Sequence, residues 1–403
     1  MKILWVTREE IFNSNTGAKM AIRNRIEQMT NSMDCNVEVI SVVDRHEEKK
    51  KIDCQNIRLN YFRRQKKGLL NFLKTIILYW PIPYTVSNRI NNDVVNEIKK
   101  AILERKIEFI IFEHIHTAYY QERLLDMIEK YNIRTILGCH NIESEELKSM
   151  YNHEKSPAKR MALYITYLLM LKYEARIFKR NSFDLYYFLS KADMNFVLSR
   201  LNPEIHAIYS PPGVDLHPAL DRDFEKDDNT INIGFVGVMS YVPNIEACRY
   251  FYKDVFKNLK NKHQYRFYII GKDPSEEIRM LVEDDENVVV TGFVDSVTDY
   301  YKRMDVIVVP MVTGAGVKIK LFEALSYGKF VISTPMGIKG TDFEDGKHLA
   351  VAENSQEFID MLESYSENAS RFHETAKNGY HFVRSNYSWE KICNFFYAEM
   401  QRL

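Results

Sequence analysis

Val306-Ile307-Val308-Val309-Pro310-Met311-Val312-Thr313-Gly314-Ala315-Gly316-Val317-Lys318-Ile319-Lys320-Leu321-Phe322-Glu323-Ala324 holds the pattern that decides the fold. A β-branched apolar run stops at Pro310, two glycines make a turn, and a helix opens near Val317. Gly328 closes that helix, and Phe330-Val331-Ile332-Ser333-Thr334 begins a second buried run. Strand, glycine turn, helix, glycine, strand is the repeating unit of a parallel sheet. A helix fed by a glycine turn presents unpaired N–H groups and the positive end of its dipole, where phosphate binds. Lys318 and Lys320 add positive charge, and Glu323 lies further along the helix, placed to meet hydroxyls beside that phosphate. Taken alone, the pattern equally suits a plain tight turn with solvated lysines, so the surrounding chain must decide.

Outward from this stretch, the same alternation fills both halves. The first half has strand runs at Ile3 to Val6, Val37 to Val43, Phe109 to Phe112, Thr135 to Leu137, Leu185 to Leu189 and His206 to Tyr209. The second has them at Ile231 to Val236, Tyr265 to Ile270, Val288 to Val290, Val306 to Val309, Phe330 to Ser333 and Leu349 to Val351. Runs this apolar predict strands covered on both faces, hence doubly wound parallel sheets. Helices are expected from about 18 to 33 and from 155 to 181, the latter with Tyr, Leu and Met on one side and Lys, Arg and Glu on the other. Residues 45 to 107 depart from the rhythm: a charge run at 47–51, then Arg63-Arg64-Gln65-Lys66-Lys67 before the apolar 69–83. That region reads as solvated loop plus apolar helix, or as a surface for anionic lipid. The junction Pro211-Pro212-Gly213-Val214-Asp215 and the acidic 221–229 separate the halves.

The 403 residues suit roughly 2–3 domains. Lys+Arg and Asp+Glu both number 55, so no global charge draws the chain to nucleic acid, and any anion site must be built locally. Five scattered cysteines (Cys35, Cys54, Cys139, Cys248, Cys393) argue against zinc ribbons and disulfide frameworks and suit a reducing compartment. The opening Ile3 to Val6 is too short for a signal peptide, and 69–83, broken by Asn71, Lys74, Pro81 and Pro83, is too short for a membrane span. A cytoplasmic protein, peripheral on the inner face of the membrane if the basic cluster docks there, is the expectation.

The ordered motifs resemble the GT-B glycosyltransferases, and more narrowly the retaining family four (group 1) type. Asn15-Thr16-Gly17, His140-Asn141-Ile142-Glu143, Ser190-Lys191-Ala192-Asp193, Pro211-Pro212-Gly213-Val214-Asp215, Gly234 to Ser240 with Pro243-Asn244, Ile270-Gly271 and Thr291 to Val294 stand in that family's order. The resemblance implies two Rossmann-like domains facing a central cleft, with a C-terminal helix crossing back to the first. It implies an acceptor-binding domain at 1–212 joined by the helix from about 383 to 403, and a donor-binding domain at 213–382. One departure stands out: the family's usual loop has two glutamates eight positions apart, and Ala315 replaces the one before Glu323. A subgroup has Gly-x-Gly there and a Lys three residues before the remaining Glu, which Gly314, Gly316 and Lys320 match.

The implied reaction moves a sugar from a nucleoside-diphosphate sugar to a hydroxyl of a glycan or glycolipid acceptor with retention, as in bacterial surface polysaccharide synthesis. A catalytically silent scaffold, motivated by Ala315, or a nucleotide-sugar epimerase are the alternatives. Lys320 with the amides of Gly316, Val317 and Lys318 would receive the diphosphate, needing no obligatory metal or cofactor. Glu323 would accept from the ribose diol. His140, at a strand's carboxyl end, would contact the donor sugar or assist the acceptor, and Gly17 would let backbone approach the ligand. Gly237, Ser240 and Gly314 would line the donor site, and Phe293 and Val294 the base pocket. Trp80, Tyr84, Tyr119 and Tyr120 are candidates to stack on an acceptor. His114-x-His116 would share one face if the strand continues, as lining rather than as metal ligands. Asp221-Arg222-Asp223 reads as solvated linker.

Overall fold

The computed structural model describes residues 1–12, 17–43, 56–63, 75, 77–218 and 230–403. Asn15-Thr16, the 47–51 charge run, Arg64, Lys66, Lys67 and Asp221-Arg222-Asp223 lie outside the described residues. The chain divides into two compact units: Met1–Pro211 with Ile392–Leu403, and Pro212–Lys391. Each is a parallel sheet between helices, a doubly wound Rossmann-like domain.

The first unit has seven strands: β1 Lys2–Thr7, β2 Asn36–Val43, β3 Ile57–Arg63, β4 Phe109–Glu113, β5 Arg134–Cys139, β6 Leu185–Phe188 and β7 Ala207–Tyr209. Their order is β3-β2-β1-β4-β5-β6-β7, all neighbours parallel. The order reverses between β1 and β4, the point where doubly wound sheets bind ligands. β1, β4, β5 and β6 are buried almost throughout, as continuous apolar runs require. β3 was not expected. Ile57-Arg58-Leu59-Asn60-Tyr61-Phe62-Arg63 alternates polar and apolar because it is the half-buried edge strand, and Arg63 is its last residue.

The second unit has β8 Ile231–Val236, β9 Tyr265–Ile270, β10 Val288–Gly292, β11 Val306–Val309, β12 Phe330–Ser333 and β13 Ala350–Val351. The order is β10-β9-β8-β11-β12-β13, again parallel, with its reversal between β8 and β11. Gly271, at φ +140, shows how tightly β9 leaves the sheet beside β8: an added Cβ would stand 1.8 Å from the Gly237 carbonyl oxygen.

The stretch that groups with the first unit starts at Ile392, shorter than the expected 383–403. The intervening Tyr387 packs its ring on Phe322 at 4.9 Å and on Phe343 at 5.7 Å within the second unit. In the first unit Arg25 clamps the returning segment. Its guanidinium lies over the Phe396 and Tyr187 rings, 5.0 and 4.6 Å from their centroids, and donates to the Ser210 carbonyl at 3.0 Å. Among the described residues no helix is long and apolar enough to cross a membrane.

Candidate functional site

The Val306–Thr334 stretch folds as strand β11, a loop from 310 to 318, the helix Ile319–Ser326 and strand β12. The helix begins two residues later than Val317, with Lys318 as its N-cap residue. Gly314 and Gly316 take φ of +108 and +69, values an L side chain resists, so both glycines are needed for the loop's shape. The loop is braced by Thr334, whose hydroxyl donates to the Met311 carbonyl at 2.6 Å, and by Thr313, which donates to Glu246.

The two lysines part company. Lys318 is buried, and its ammonium turns back onto the loop, donating to the carbonyls of Gly314, Ala315 and Gly316 at 3.1, 3.2 and 2.7 Å. The positive charge expected from Lys318 therefore falls on the loop's own carbonyls, while its expected backbone role toward a ligand is unaffected. Lys320 remains partly exposed at the reversal point of the sheet. It donates to Asn244 Oδ1 at 2.7 Å and lies 4.1 Å from the Phe235 ring centroid. Asn244 in turn donates to the Val238 carbonyl at 2.9 Å, which fixes its oxygen toward the lysine. Gly237 is required here, because a Cβ would meet Asn244 Nδ2 at 2.7 Å and Lys320 Nζ at 3.0 Å. Burial pulls the Lys320 ammonium down to about 7, with Lys318 adding to the fall and Cys248 and Glu323 opposing it. The amides of Ile319 and Lys320 open the helix and have no intrahelical acceptor.

Glu323 follows one turn later. Burial raises its carboxyl, with Lys320 and Tyr301 pulling the other way. Behind it Tyr327 is stacked between His217 at 4.0 Å and Tyr301 at 4.5 Å, a rigid wall for this end of the helix. Ser240 is exposed in the turn after β8. Phe293 follows Gly292 at the end of β10 and is 68% exposed, with Val294 half-buried beside it. An aromatic ring this exposed at the carboxyl edge of a sheet is available for stacking.

In the first unit the carboxyl ends of β4 and β5 carry a network that sequence reasoning found only in part. His140 follows β5 and is buried, and its Nε2 donates to Glu113 Oε2 at 2.7 Å. Glu113, the last residue of β4 and wholly buried, also accepts from Trp5 Nε1 at 2.8 Å and from the Tyr187 hydroxyl. Burial would raise the Glu113 carboxyl, but His140, Tyr187 and Arg25 outweigh that and lower it. Gly138 leaves the room, since a Cβ there would sit 2.5 Å from Glu113 Oε2. With Nε2 directed to the carboxylate, His140 Nδ1 is left buried and without a hydrogen-bond partner among the described residues. Glu113 was missed, although a carboxylate ending the apolar run Phe109-Ile110-Ile111-Phe112 was a signal open to reading.

The strand does not continue through His114-Ile115-His116. His114 has φ +66 and a 3-10 turn follows, so the two rings do not share a strand face. His114 lies against His140, centroids 3.9 Å apart, while His116 faces Arg8 at 2.8 Å. Burial, then Arg8, holds both imidazoles well below their usual range and so neutral. Arg8 also reaches Glu143 at 3.2 Å, so charged and polar groups gather at the reversal point of this sheet too. Gly17 is the first residue of the helix Gly17–Ser32. Tyr119 and Tyr120 are buried and Trp80 is 62% exposed, so of these three the tryptophan alone is open to an acceptor.

Residues 230–368 match the family model of group 1 glycosyl transferases. An uncharacterized 44.6 kDa protein in the cps region of Klebsiella pneumoniae is 24% identical over 408 residues, covering 99% of each chain. Sucrose-phosphate synthase from Thermosynechococcus elongatus superposes with a TM-score of 0.75 at 15% identity, covering 100% of this chain and 98% of its own. HepE of Anabaena, solved with UDP and glucose, superposes with a TM-score of 0.67 at 13% identity over 100% of both chains. The structural likenesses carry the fold, and the family match covers the second unit's sheet and its glycine loop.

Proposed function

With residues 230–368 a group 1 glycosyltransferase domain and the chain GT-B in fold, we propose that this transferase moves a sugar, with retention, from a nucleoside-diphosphate sugar to a hydroxyl of a glycan or glycolipid acceptor. The observation that carries the donor assignment is Lys320: a partly buried ammonium at the sheet's reversal point, beside a glycine turn and a helix opening. Negative charge grows on the departing diphosphate, and a preorganised cation with backbone amides stabilises it more than it stabilises the ground state. Lys320 and the amides of Gly316, Val317 and Lys318 take that role. Glu323 accepts from the ribose hydroxyls, and Phe293 with Val294 meets the base. Gly237, Ser240 and Gly314 let the ligand lie against backbone, and Gly17 does so from the first unit.

His140 Nδ1 accepts a hydrogen bond from a sugar or acceptor hydroxyl. Glu113 acts through it as a positioning residue, fixing which ring nitrogen carries the proton. The departing phosphate oxygen takes the acceptor's proton in a front-face attack, so no enzymic nucleophile is required. The cps-region relative favours a surface polysaccharide as the acceptor, and the UDP bound to HepE makes UDP-glucose the first donor to try. Peripheral attachment to an anionic membrane through 63–84 belongs to the same reading.

The test is a thermal-shift panel of UDP, GDP, dTDP and ADP, followed by donor turnover with the nucleotide that binds. A ligand at 100 times its dissociation constant stabilises by about 2.7 kcal/mol. One nucleotide is expected to raise the melting temperature of wild type and not of Lys320→Ala. Flat curves across the panel would instead support the silent scaffold suggested by Ala315.

A further inference from the structure

The helix Pro157–Arg180 departs from the two-sided pattern its sequence suggests. Met161, Tyr164, Ile165 and Leu168, spaced i, i+3, i+4, i+7, form an apolar stripe that faces outward, exposed by 60, 41, 48 and 38%. Met150 of the neighbouring helix Glu143–His153 adds a side chain that is 51% exposed. The opposite face already serves the core, through Leu163, Tyr167 and Met170. The helix pair is held firmly: the Tyr151 ring lies 5.4 Å from Tyr164 and 5.6 Å from Tyr167. Glu174, buried, accepts the Glu143 amide at 2.7 Å and caps the first helix from the second. Local packing therefore fixes the stripe in its outward position.

On the helix Pro157–Arg180 and the residues just before it the charges around the stripe have one sign, while the neighbouring helix carries Glu145 and Glu146 together with Lys148. No charged residue occurs from 161 to 171, and between Glu154 and Glu174 every charge is positive: Lys155, Lys159, Arg160 and Lys172, all exposed. The Glu154 carboxylate accepts the Ser156 amide at 2.8 Å. We infer that this helix pair rests on an anionic lipid surface, the stripe in the acyl boundary and the four cations among the headgroups. A second copy of the chain suits the stripe poorly, because two-fold pairing of this helix would set its four cations against four. The helix is not apolar enough to cross a bilayer, so it lies along the surface. This contact uses residues other than 63–84 and is independent of the reaction the enzyme performs.

The test uses the full chain with vesicles of phosphatidylcholine alone or mixed with phosphatidylglycerol. Wild type is expected to float with the mixed vesicles and to be released by salt. Lys159→Gln with Arg160→Gln should bind roughly 30-fold more weakly. Ile165→Ser with Leu168→Ser should bind roughly tenfold or more weakly, with unchanged circular dichroism and melting temperature because both positions are exposed. Unchanged flotation of both variants would overturn the proposal, as would loss confined to Trp80→Ala, which would assign docking to 63–84. A concentration-dependent dimer abolished by Ile165→Ser with Leu168→Ser, with vesicle binding retained, would replace lipid by a second copy.

Discussion

The two sheets reverse their strand order once each, and the two reversal points are built in opposite ways. In the first unit the point is filled with protein. Glu113 has three donors of its own (Trp5, Tyr187 and His140), and among the described residues His140 Nδ1 and the two ring nitrogens of the adjacent His114 are left without a hydrogen-bond partner. In the second the point is made of backbone. Gly237, Gly314 and Gly316 keep side chains away, and Lys320 is held there with a single strong partner, Asn244. One arrangement satisfies its charge before any ligand arrives, and the other keeps an under-satisfied cation. A satisfied network serves orientation, while an under-satisfied charge serves binding and lowers stability until the ligand comes.

The largest effect expected from this contrast is on folding. Glu113→Ala strands the donors of Trp5, Tyr187 and His140 in a buried site, and should lower stability by about 3–5 kcal/mol. Lys320→Met removes a desolvated cation and keeps the side-chain length, and should leave stability unchanged or raise it by about 1–3 kcal/mol. Urea unfolding of both variants measures the pair. Equal destabilisation would mean that Lys320 is a structural lysine and that the two points are alike.

The next effect concerns pH. Lys320 titrates near 7 in the free chain, and a bound diphosphate raises that value because it favours the charged ammonium. Below about 7 the cation is already formed and donor affinity is flat. Above it, binding must take up a proton, so affinity falls by up to about tenfold per pH unit until the bound value is reached. A nucleotide sugar is the right probe, since its phosphodiester groups do not titrate in this range. Calorimetry in buffers of different ionisation enthalpy should show proton uptake for wild type and none for Lys320→Met. The same slope in both proteins would assign the titration to another group.

The contrast also explains what the sequence made legible. The donor loop is contiguous: strand, glycines, lysines and glutamate lie within Val306 to Glu323, so a linear reading reaches nearly all of it. What it missed was direction, since the turn of Lys318 back onto three carbonyls depends on the φ values of Gly314 and Gly316. The first unit's network joins residues 5, 113, 140 and 187, brought together only by the pairing of β1, β4, β5 and β6. His140 alone stood out, because a histidine after an apolar run is conspicuous and a glutamate ending one is easily passed over. β3 was hidden for a related reason: an edge strand alternates, and its arginines at 58 and 63 resemble a loop's. The outward stripe of Pro157–Arg180 was equally out of reach, because apolar residues ring that helix and its pattern does not say which face meets the core.

The smallest effect tests whether the second unit's openness extends along its edge to β10. Phe293 is 68% exposed, follows a glycine at φ +68, and stacks on no other ring among the described residues. A base stacked on it would gain about 1 kcal/mol, the lower end for such contacts by alanine substitution. Phe293→Ala should therefore weaken nucleoside and nucleoside diphosphate by the same factor, about fivefold, whereas Lys320→Met should spare the nucleoside and weaken only the diphosphate. Competition binding with uridine and UDP separates the two. If Phe293→Ala leaves both unchanged, the base lies nearer the reversal point and the open edge ends at β9. If it weakens the diphosphate alone, the ring is ordering the loop instead of meeting the base.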